Sequence, residues 1–508
     1  QYVPYPDAET NLAQCNDLAG RLGLQSEEEI ANYAAANSCA PTGAISTVEA
    51  ATGAVRVMAS GLPFDVDQFD LAVQGRRNPG SSFKPFTLMA ALESPENITL
   101  GSYYRGSSPM TLECPYVCSE LGNKWKVSNA GGSRAVLSLE QATSSSVNVV
   151  YAQVALEIGP EAIVDMAHRM GIESELRPVP SITLGTSEVT PLEMASAYTN
   201  FATNGRYTKP YLVARILDSS GDVIYEHENE YEQVGDPRMF AAARRPLSKV
   251  PTGSGTAPRA NIDRPQGGKT GTHQDYKDAW YVGFVPQYAT AVWVGFEADQ
   301  IPLTNVTING RVESRIFGGT APAPMWADFM SWYLQDVEPA DFPEPDGDLG
   351  DFFRTPSTTV PSVIGMDRGS AVAAISKAKL FPSVVEVPSL EPEGLVIGQG
   401  PGGGATVPQG SGVTIQVSTG QPPTGVLPDV AGQGFDAALA ALQEFNAENR
   451  LELAFVRANQ EVENPNRVGT VLRLEPGAGT EVGFGAQVVI VVGVAPSNPE
   501  PPPPESDG

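Results

Sequence analysis

The first 335 residues predict an α+β fold built on an antiparallel sheet. β-patterned runs stand at both ends of this stretch, helical patterns fill the middle, and the strands come as hairpins rather than as βαβ units. The rest of the chain repeats a smaller unit of strands around one short helix. At about 150 residues per domain, 508 residues suit two to four domains. Thirty-two Lys and Arg against 59 Asp and Glu give a formal net charge of −27. So acidic a surface repels phosphate backbones and anionic lipid, which argues against nucleic acid and polybasic membrane attachment.

The elements follow in order. Residues 1–42 are polar and Ala-rich, with a helix start at Ser26-Glu27-Glu28-Glu29-Ile30, and read as a strap onto the next domain. From Ile45 to Ala59, two β-patterned runs flank Thr52-Gly53, a hairpin signal. Pro79-Gly80 stops what precedes it, so a helix opens at Ser81 and runs toward Glu93. Further helical patterns cover Leu139–Ile158, Pro160–Met170 and Pro191–Phe201. Strands return at Tyr211–Leu217, Val223–Tyr225, Ala279–Val285 and Ala289–Phe296. No apolar run approaches the ~18 residues of a membrane helix; the densest, Gln487 to Gly493, has strand length. The chain opens at Gln1 without a signal-peptide pattern, as a matured or trimmed product would.

Four cysteines allow three pairings. Their positions divide them into Cys15 with Cys39 and Cys114 with Cys118. Disulfides, free thiols and a four-cysteine zinc site are the readings; zinc sites usually bring two tight knuckles, and only one is present. Disulfides would place the chain outside the cytoplasm.

Composition shifts after Leu334. Residues 336–357 are rich in Asp, Glu and Pro without periodicity and read as an extended linker. An internal repeat follows, in copies at 358–420 and 425–494. Val360-Pro361-Ser362-Val363-Ile364-Gly365 recurs as Leu427-Pro428-Asp429-Val430-Ala431-Gly432. Each copy continues with a small amphipathic helix (Ser370–Lys379; Phe435–Phe445), a Pro/Gly turn and a closing strand. The second copy has an extended stretch from Asn446 to Val468, and the Pro-rich tail at 495–508 reads as disordered. Residues 336–508 carry a net −15, more than half of the total charge.

Three motifs carry the chemistry: Ser81-Ser82-Phe83-Lys84, Ser146-Val147-Asn148 and Lys269-Thr270-Gly271-Thr272. In order and type they match the Ser-x-x-Lys, Ser-x-Asn, Lys-Thr-Gly set of serine acyl-transfer enzymes. One such match alone is only a polar helix turn; Ser376-Lys377-Ala378-Lys379, on a solvated helix face, is such a chance case. All three in order, the first at a helix start and the last on a strand, are far more specific. Positions i and i+3 share a helix face, so Lys84 lies one turn beyond Ser81, beside its hydroxyl. A serine hydroxyl needs a base. Lysine serves once its pKa, ordinarily about 10.4, is lowered by burial and by a neighbouring cation such as Lys269. The helix opening offers free N–H groups to an oxyanion. His168 reads as a helix-surface residue, and His273, just after the third motif, is a candidate to line the cleft.

The segment Asn78-Pro79-Gly80-Ser81-Ser82-Phe83-Lys84-Pro85-Phe86 resembles the nucleophile segment of class A, bifunctional penicillin-binding proteins. So do Leu184-Gly185 with Glu188–Ala195, Gly268–Thr272 with Asp278–Phe284, and Gly318-Gly319-Thr320-Ala321-Pro322 through Trp326. The likeness covers about Ala44 to Leu334. The repeat is similar to PASTA domains, small β-α-β-β modules of wall-building enzymes and kinases. The resemblance implies a penicillin-binding-protein/β-lactamase-like fold over 43–335, an antiparallel sheet with helices on both faces. It implies that Ser81 attacks the penultimate D-Ala of a peptidoglycan stem peptide, with Lys84 as base and no cofactor or metal. Ser146 and Asn148 would extend the proton relay and hold the donor amide. Lys269, Thr270 and Thr272, with Gly271 between them, would bind the terminal carboxylate, and the N–H groups of Ser81 and Thr272 would form the oxyanion hole. β-Lactams would acylate Ser81 as substrate mimics. The location implied is the outer face of a bacterial membrane or its wall, with muropeptides or wall polymer as PASTA ligands. Only 80 residues precede Ser81, so the glycosyltransferase domain and membrane anchor of the family are expected upstream of Gln1.

Two other readings use the same residues. A D,D-carboxypeptidase or β-lactamase shares the motifs, but no Glu-x-x-x-Asn stands between Asn148 and Lys269. A non-catalytic wall-binding scaffold has no need to retain Ser81, Lys84 and Lys269 together.

Overall fold

The computed structural model describes residues 8–36, 39–61, 68–115, 123–297, 301–308 and 311–497. They form two compact units. One is Gln1–Thr358 with Lys379–Phe381 and Thr406–Ser411; the other is Thr359–Ala378, Pro382–Ala405 and Gly412–Gly508.

The first unit begins with α1 (Ala8–Leu22) and α2 (Glu27–Ala36). Cys15 of α1 is bonded to Cys39, just before the sheet. Both sulfurs sit in a small core with Ile30, Phe296, Ile301 and Leu303, which holds this segment on the domain as a strap. Cys118 lies outside the described residues.

The expected hairpin is β1 (Thr42–Glu49) with β2 (Val55–Ser60). A one-turn 3-10 helix, Gly80–Phe83, leads into α3 (Lys84–Glu93). The pattern expected as one helix over Leu139–Ile158 is instead two, α4 (Leu139–Ser144) and α5 (Asn148–Ile158). The break falls on Ser146, whose φ of 56° lies in the left-handed region and ends the α4 ladder. Next come α6 (Pro160–Arg169) and α7 (Pro191–Ala202). Thr190-Pro191-Leu192-Glu193 starts α7 as a capping box: the Thr190 hydroxyl accepts from Glu193 N, and the Glu193 carboxylate accepts from Thr190 N. Among the described residues the strands β3 (Arg215–Leu217) and β4 (Val223–Glu226) pair only with each other, in a ribbon separate from the central sheet. After α8 (Pro237–Ser248) come β5 (Gly267–Thr272), β6 (Asp278–Phe284), β7 (Tyr288–Gly295) and α9 (Pro322–Tyr333).

The central sheet has the order β5-β6-β7-β1-β2, with every pair antiparallel. Alternate residues of a strand face opposite sides, and here both sides are covered. Trp280, Val282 and Phe284 enter the main core with Tyr198 and Phe201 of α7, whereas Tyr281 and Val292 enter a second core with Trp326 and Met330 of α9. That is why β6 reads as a continuous apolar run. On the α7 side, α3 is buried along nearly its whole length.

The acidic, Pro-rich stretch expected as a free linker lies against the domain. Phe342, Phe352 and Phe353 pack on the main core. Phe342 meets Phe284 edge-on and lies under the Arg244 guanidinium. Arg244 and Asn204 both donate to Pro343 O at 3.0 Å, and Leu100 N donates to Phe352 O at 2.8 Å. Burial lowers Arg244 to about 10, so these acceptors matter to it. Three aromatic anchors outweigh the composition.

In the second unit each repeat is a helix against a three-stranded sheet. The first has α10 (Arg368–Lys377), β8 (Phe381–Val387), β9 (Val396–Gly400) and β10 (Gly412–Ser418), with Ala371, Ile375, Val413, Ile415 and Val417 buried. The second has α11 (Phe435–Asn449), β11 (Ala454–Glu461), β12 (Val471–Glu475) and β13 (Gln487–Val494) around its own core of Leu442, Leu474 and Ile490. The stretch expected as extended from Asn446 thus begins as the last turn of α11. The tail from 498 onward lies outside the described residues.

Candidate active site

The three motifs meet at one place, between the start of α3, the α4–α5 break and the edge strand β5. Ser81 sits half-buried in the 3-10 turn, and Lys84 follows as the wholly buried first residue of α3. Gly80 has φ +56°, and a Cβ there would lie 2.5 Å from Thr272 O and 2.8 Å from Thr272 N. A Cβ on Gly185 would come within 2.3 Å of Gly80 N and O. Only glycine lets the nucleophile turn press its main chain against the end of β5. Tyr198 OH donates to Ser82 O at 2.6 Å and Trp280 Nε1 to Asn78 O at 2.9 Å, fixing the turn from both sides.

Lys84 Nζ lies 2.7 Å from Ser146 O, 2.7 Å from Asn148 Oδ1 and 3.1 Å from Ser146 Oγ. Lys269 Nζ, also wholly buried, donates to Ser146 Oγ at 2.7 Å and to Thr270 O at 3.0 Å. Burial, and then the Lys269 charge, push Lys84 well below an ordinary lysine. Burial lowers Lys269 to about 7. Repulsion between the two charges is mutual and favours one proton fewer on the pair, and the contacts of Lys84 suit the neutral member. A neutral amine has two N–H donors and one lone pair. The two carbonyl oxygens take the donors, and the lone pair is left to accept from a hydroxyl. With Lys269 donating to Ser146 Oγ, the Ser146 hydrogen is free to turn toward Lys84.

Several supporting residues carry no signal in the sequence. Asn148 Nδ2 donates to Ser128 O at 2.9 Å, and Asn129 Oδ1 accepts from Val149 N at 3.0 Å, so a loop ahead of α4 braces the break. The Tyr151 ring lies 5.3 Å from Lys84 Nζ. Thr256 Oγ1 is 2.8 Å from Thr270 Oγ1, and Gly318 N donates to Thr272 Oγ1 at 3.2 Å. Both hydroxyls of β5 are therefore oriented from outside the strand. His273 N donates to Asp278 O at 2.9 Å, closing the β5–β6 turn, and no described hydrogen bond joins its ring to the lysines. His168 is exposed near the end of α6, with Nδ1 2.6 Å from Ile172 O. Ser376 and Lys379, the chance match, lie near the end of α10 and just beyond it. Among the described residues no group of His, Cys, Asp and Glu is placed to hold a metal, and no helix is long and apolar enough to cross a membrane.

Comparison with known proteins agrees with this fold. The family profile described as "Penicillin binding protein transpeptidase domain" matches residues 43–303, and the PASTA domain profile matches 358–419 and 425–494. Penicillin-binding protein 1A of Aquifex aeolicus is 30% identical over 312 residues, covering 60% of this chain and 39% of the relative. That of Neisseria lactamica is 31% identical over 348 residues, covering 66% and 41%. Penicillin-binding protein 2D of Bacillus subtilis is 30% identical over 344 residues, covering 65% and 46%. The chain thus spans less than half the length of these relatives. Among solved structures, the Mycobacterium tuberculosis PonA1 protein in complex with penicillin V superposes with a TM-score of 0.52 at 27% identity, covering 66% of this chain and 88% of that one. Penicillin-binding protein 1A of Haemophilus influenzae shares the fold, with a TM-score of 0.53 at 22% identity over 63% of this chain and 50% of that one. The chain belongs to the penicillin-binding protein transpeptidase family, and two PASTA domains follow its transpeptidase domain.

Proposed function

We propose that this protein is a serine D,D-transpeptidase that cross-links peptidoglycan stem peptides through an acyl-enzyme on Ser81. One observation carries the reading: two wholly buried lysines, one from each flanking motif, converge on the hydroxyl of the third. That arrangement costs folding stability through desolvation and like-charge repulsion, and it supplies a neutral amine one turn from a serine.

In this reading Ser81 Oγ bonds to the carbonyl carbon of the penultimate D-Ala while its proton passes to Lys84 Nζ. The N–H groups of Ser81 and Thr272, held together by the Gly80 contact, take the oxyanion. The C–N bond to the terminal D-Ala breaks, and the leaving amine takes its proton through Ser146. Lys269, with the hydroxyls of Thr270 and Thr272, holds the terminal carboxylate, and Asn148 the donor amide. The amine of a second stem then attacks the ester carbon, the bond from that carbon to Ser81 Oγ breaks, and the proton lost by the amine returns to Ser81 Oγ. No metal or cofactor enters these steps. β-Lactams acylate Ser81 in the same way.

The relatives named penicillin-binding protein 1A support a class A assignment for this region, and with it an extracytoplasmic site at the wall. The PASTA pair serves as a spacer or as a reader of muropeptide or wall polymer. Incubation of the protein with a D-Ala-D-Ala donor stem and an amine-bearing acceptor stem, followed by mass spectrometry, tests the reading. Cross-linked dimer with one D-Ala released per link is expected. Release of D-Ala with no dimer at any acceptor concentration would make the enzyme a carboxypeptidase.

A further inference from the structure

The β3–β4 ribbon exposes an unusual surface. Leu212, Val213, Ile216, Leu217, Val223 and Ile224 are all exposed, Leu212 and Ile224 by 64% each. Ile216 pairs with Tyr225 and Leu217 with Val223, so neighbouring apolar residues point to opposite faces. The ribbon is apolar on both sides and buries neither. Its sheet has two strands, so among the described residues neither outer edge is paired with another strand. Its root is fixed: Tyr211 N donates to Gly53 O and Val55 N donates to Tyr211 O, both within 3.1 Å, and the Tyr211 ring stacks on His227. Open strand edges with apolar flanks are templates for pairing with another chain, and folded proteins usually blunt them.

Charge selects the occupant. From Tyr211 to Glu232 there are six carboxylates, Asp218, Asp222, Glu226, Glu228, Glu230 and Glu232, against Arg215 as the one Lys or Arg. A second copy, with a net charge of −27 and the same acidic rim, is repelled, and so is an anionic lipid surface. We propose that the ribbon is a docking element for another protein, which adds an extended apolar strand flanked by Lys or Arg to its open edge. Main-chain hydrogen bonds along the edge would hold the strand, the alternate apolar side chains would give register, and the carboxylates would give selectivity and fast association. This inference is independent of the catalytic reading.

The test uses the full chain and two labelled nine-residue peptides, Lys-Lys-Val-Thr-Val-Thr-Val-Lys-Lys and the same core with Glu at all four flanking positions, followed by fluorescence anisotropy. The Lys-flanked peptide is expected to bind at least tenfold more tightly than the Glu-flanked one and to weaken with added salt. Binding is also expected to fall at least tenfold in the double variant Ile216→Asp, Ile224→Asp. Both positions are exposed, so the melting temperature of that variant should match the parent and show that the fold is intact. Amide exchange should slow at 213–217 or 223–226 only when the Lys-flanked peptide is present. Equal binding of the two peptides, or binding that survives the double variant, would overturn the proposal. So would self-association of the parent that the double variant abolishes, which would assign the face to a second copy. Adsorption to phosphatidylcholine vesicles through the same two residues would assign it to lipid.

Discussion

Lys84 and Lys269 reach the same oxygen: their Nζ atoms lie 3.1 and 2.7 Å from Ser146 Oγ. Neither amine touches solvent. Two buried cations that close are mutually destabilising, so the pair settles with one proton rather than two. Burial acts on both, and the Lys269 charge adds to it at Lys84; in the proposed mechanism Lys84 is the neutral member and Lys269 the protonated one.

This makes Lys84 sensitive to a substitution that keeps its charge. Arginine does not release a proton near neutral pH, so Lys84→Arg should slow acylation by about 10²–10⁴-fold, the usual weight of a general base. Lys84→Met should do the same. Stopped-flow acylation with a fluorescent penicillin measures both. An Arg variant with most of the parent rate would make Lys84 an electrostatic partner only.

The pH profile carries a sign. Protonation of Lys84 removes the base, so the rate falls on the acid side, at a pH well below the ordinary lysine value because the pKa is lowered. Deprotonation of Lys269 removes the cation for the substrate carboxylate. In the free enzyme that loss begins near its pKa of about 7. The kcat/KM profile should therefore be bell-shaped, with both limbs below pH 10. A rate still climbing at pH 10 would mean that Lys84 titrates like a surface lysine.

Ser146→Ala removes the shared hydroxyl and leaves both carbonyl acceptors of Lys84 in place, Ser146 O being main chain and Asn148 Oδ1 untouched. The fold should persist, because alanine tolerates the left-handed φ about as poorly as serine does. Acylation should still slow by about 10²-fold or more, the low end of what a proton-transfer group contributes. An unchanged rate, with an unchanged melting curve, would show that no proton passes through this oxygen.

The docked linker at 336–357 gives a stability prediction. Phe342→Ala removes a half-buried ring that packs on Phe284 and Arg244. It should cost about 2–3 kcal/mol, less than the ~3–5 kcal/mol of a fully buried Phe. Ending the chain after residue 336 should cost more, since Arg244 and Asn204 also lose Pro343 O. Ending it after residue 358 should retain acylation. Denaturant melts of the three proteins test the order.

The chemistry was more legible in the sequence than its supports. Ser81, Lys84, Ser146 and Lys269 stand in short motifs whose order is itself informative. The α4–α5 break was hidden because Ser144-Ser145-Ser146-Val147 contains no Gly or Pro, and a left-handed serine leaves no compositional trace. The docking of the linker at 336–357 left no sequence signal, because an extended segment docks through isolated anchors, Phe342, Phe352 and Phe353, which show no periodicity. Ser128, Asn129 and Thr256 act on the site through single hydrogen bonds, from loops 14 to 20 residues ahead of the residue each one holds. Spacing cannot reveal such partners.

Covalent capture by penicillin decides whether Ser81 is the nucleophile. The full chain, its Ser81→Ala variant and its Ser376→Ala variant are incubated with penicillin V, weighed intact by mass spectrometry and mapped by peptide digestion. One stable penicilloyl group per molecule is expected, on Ser81, in the parent and in Ser376→Ala, and none in Ser81→Ala. An adduct that persists in Ser81→Ala, or a parent that takes up none, would contradict that role for Ser81.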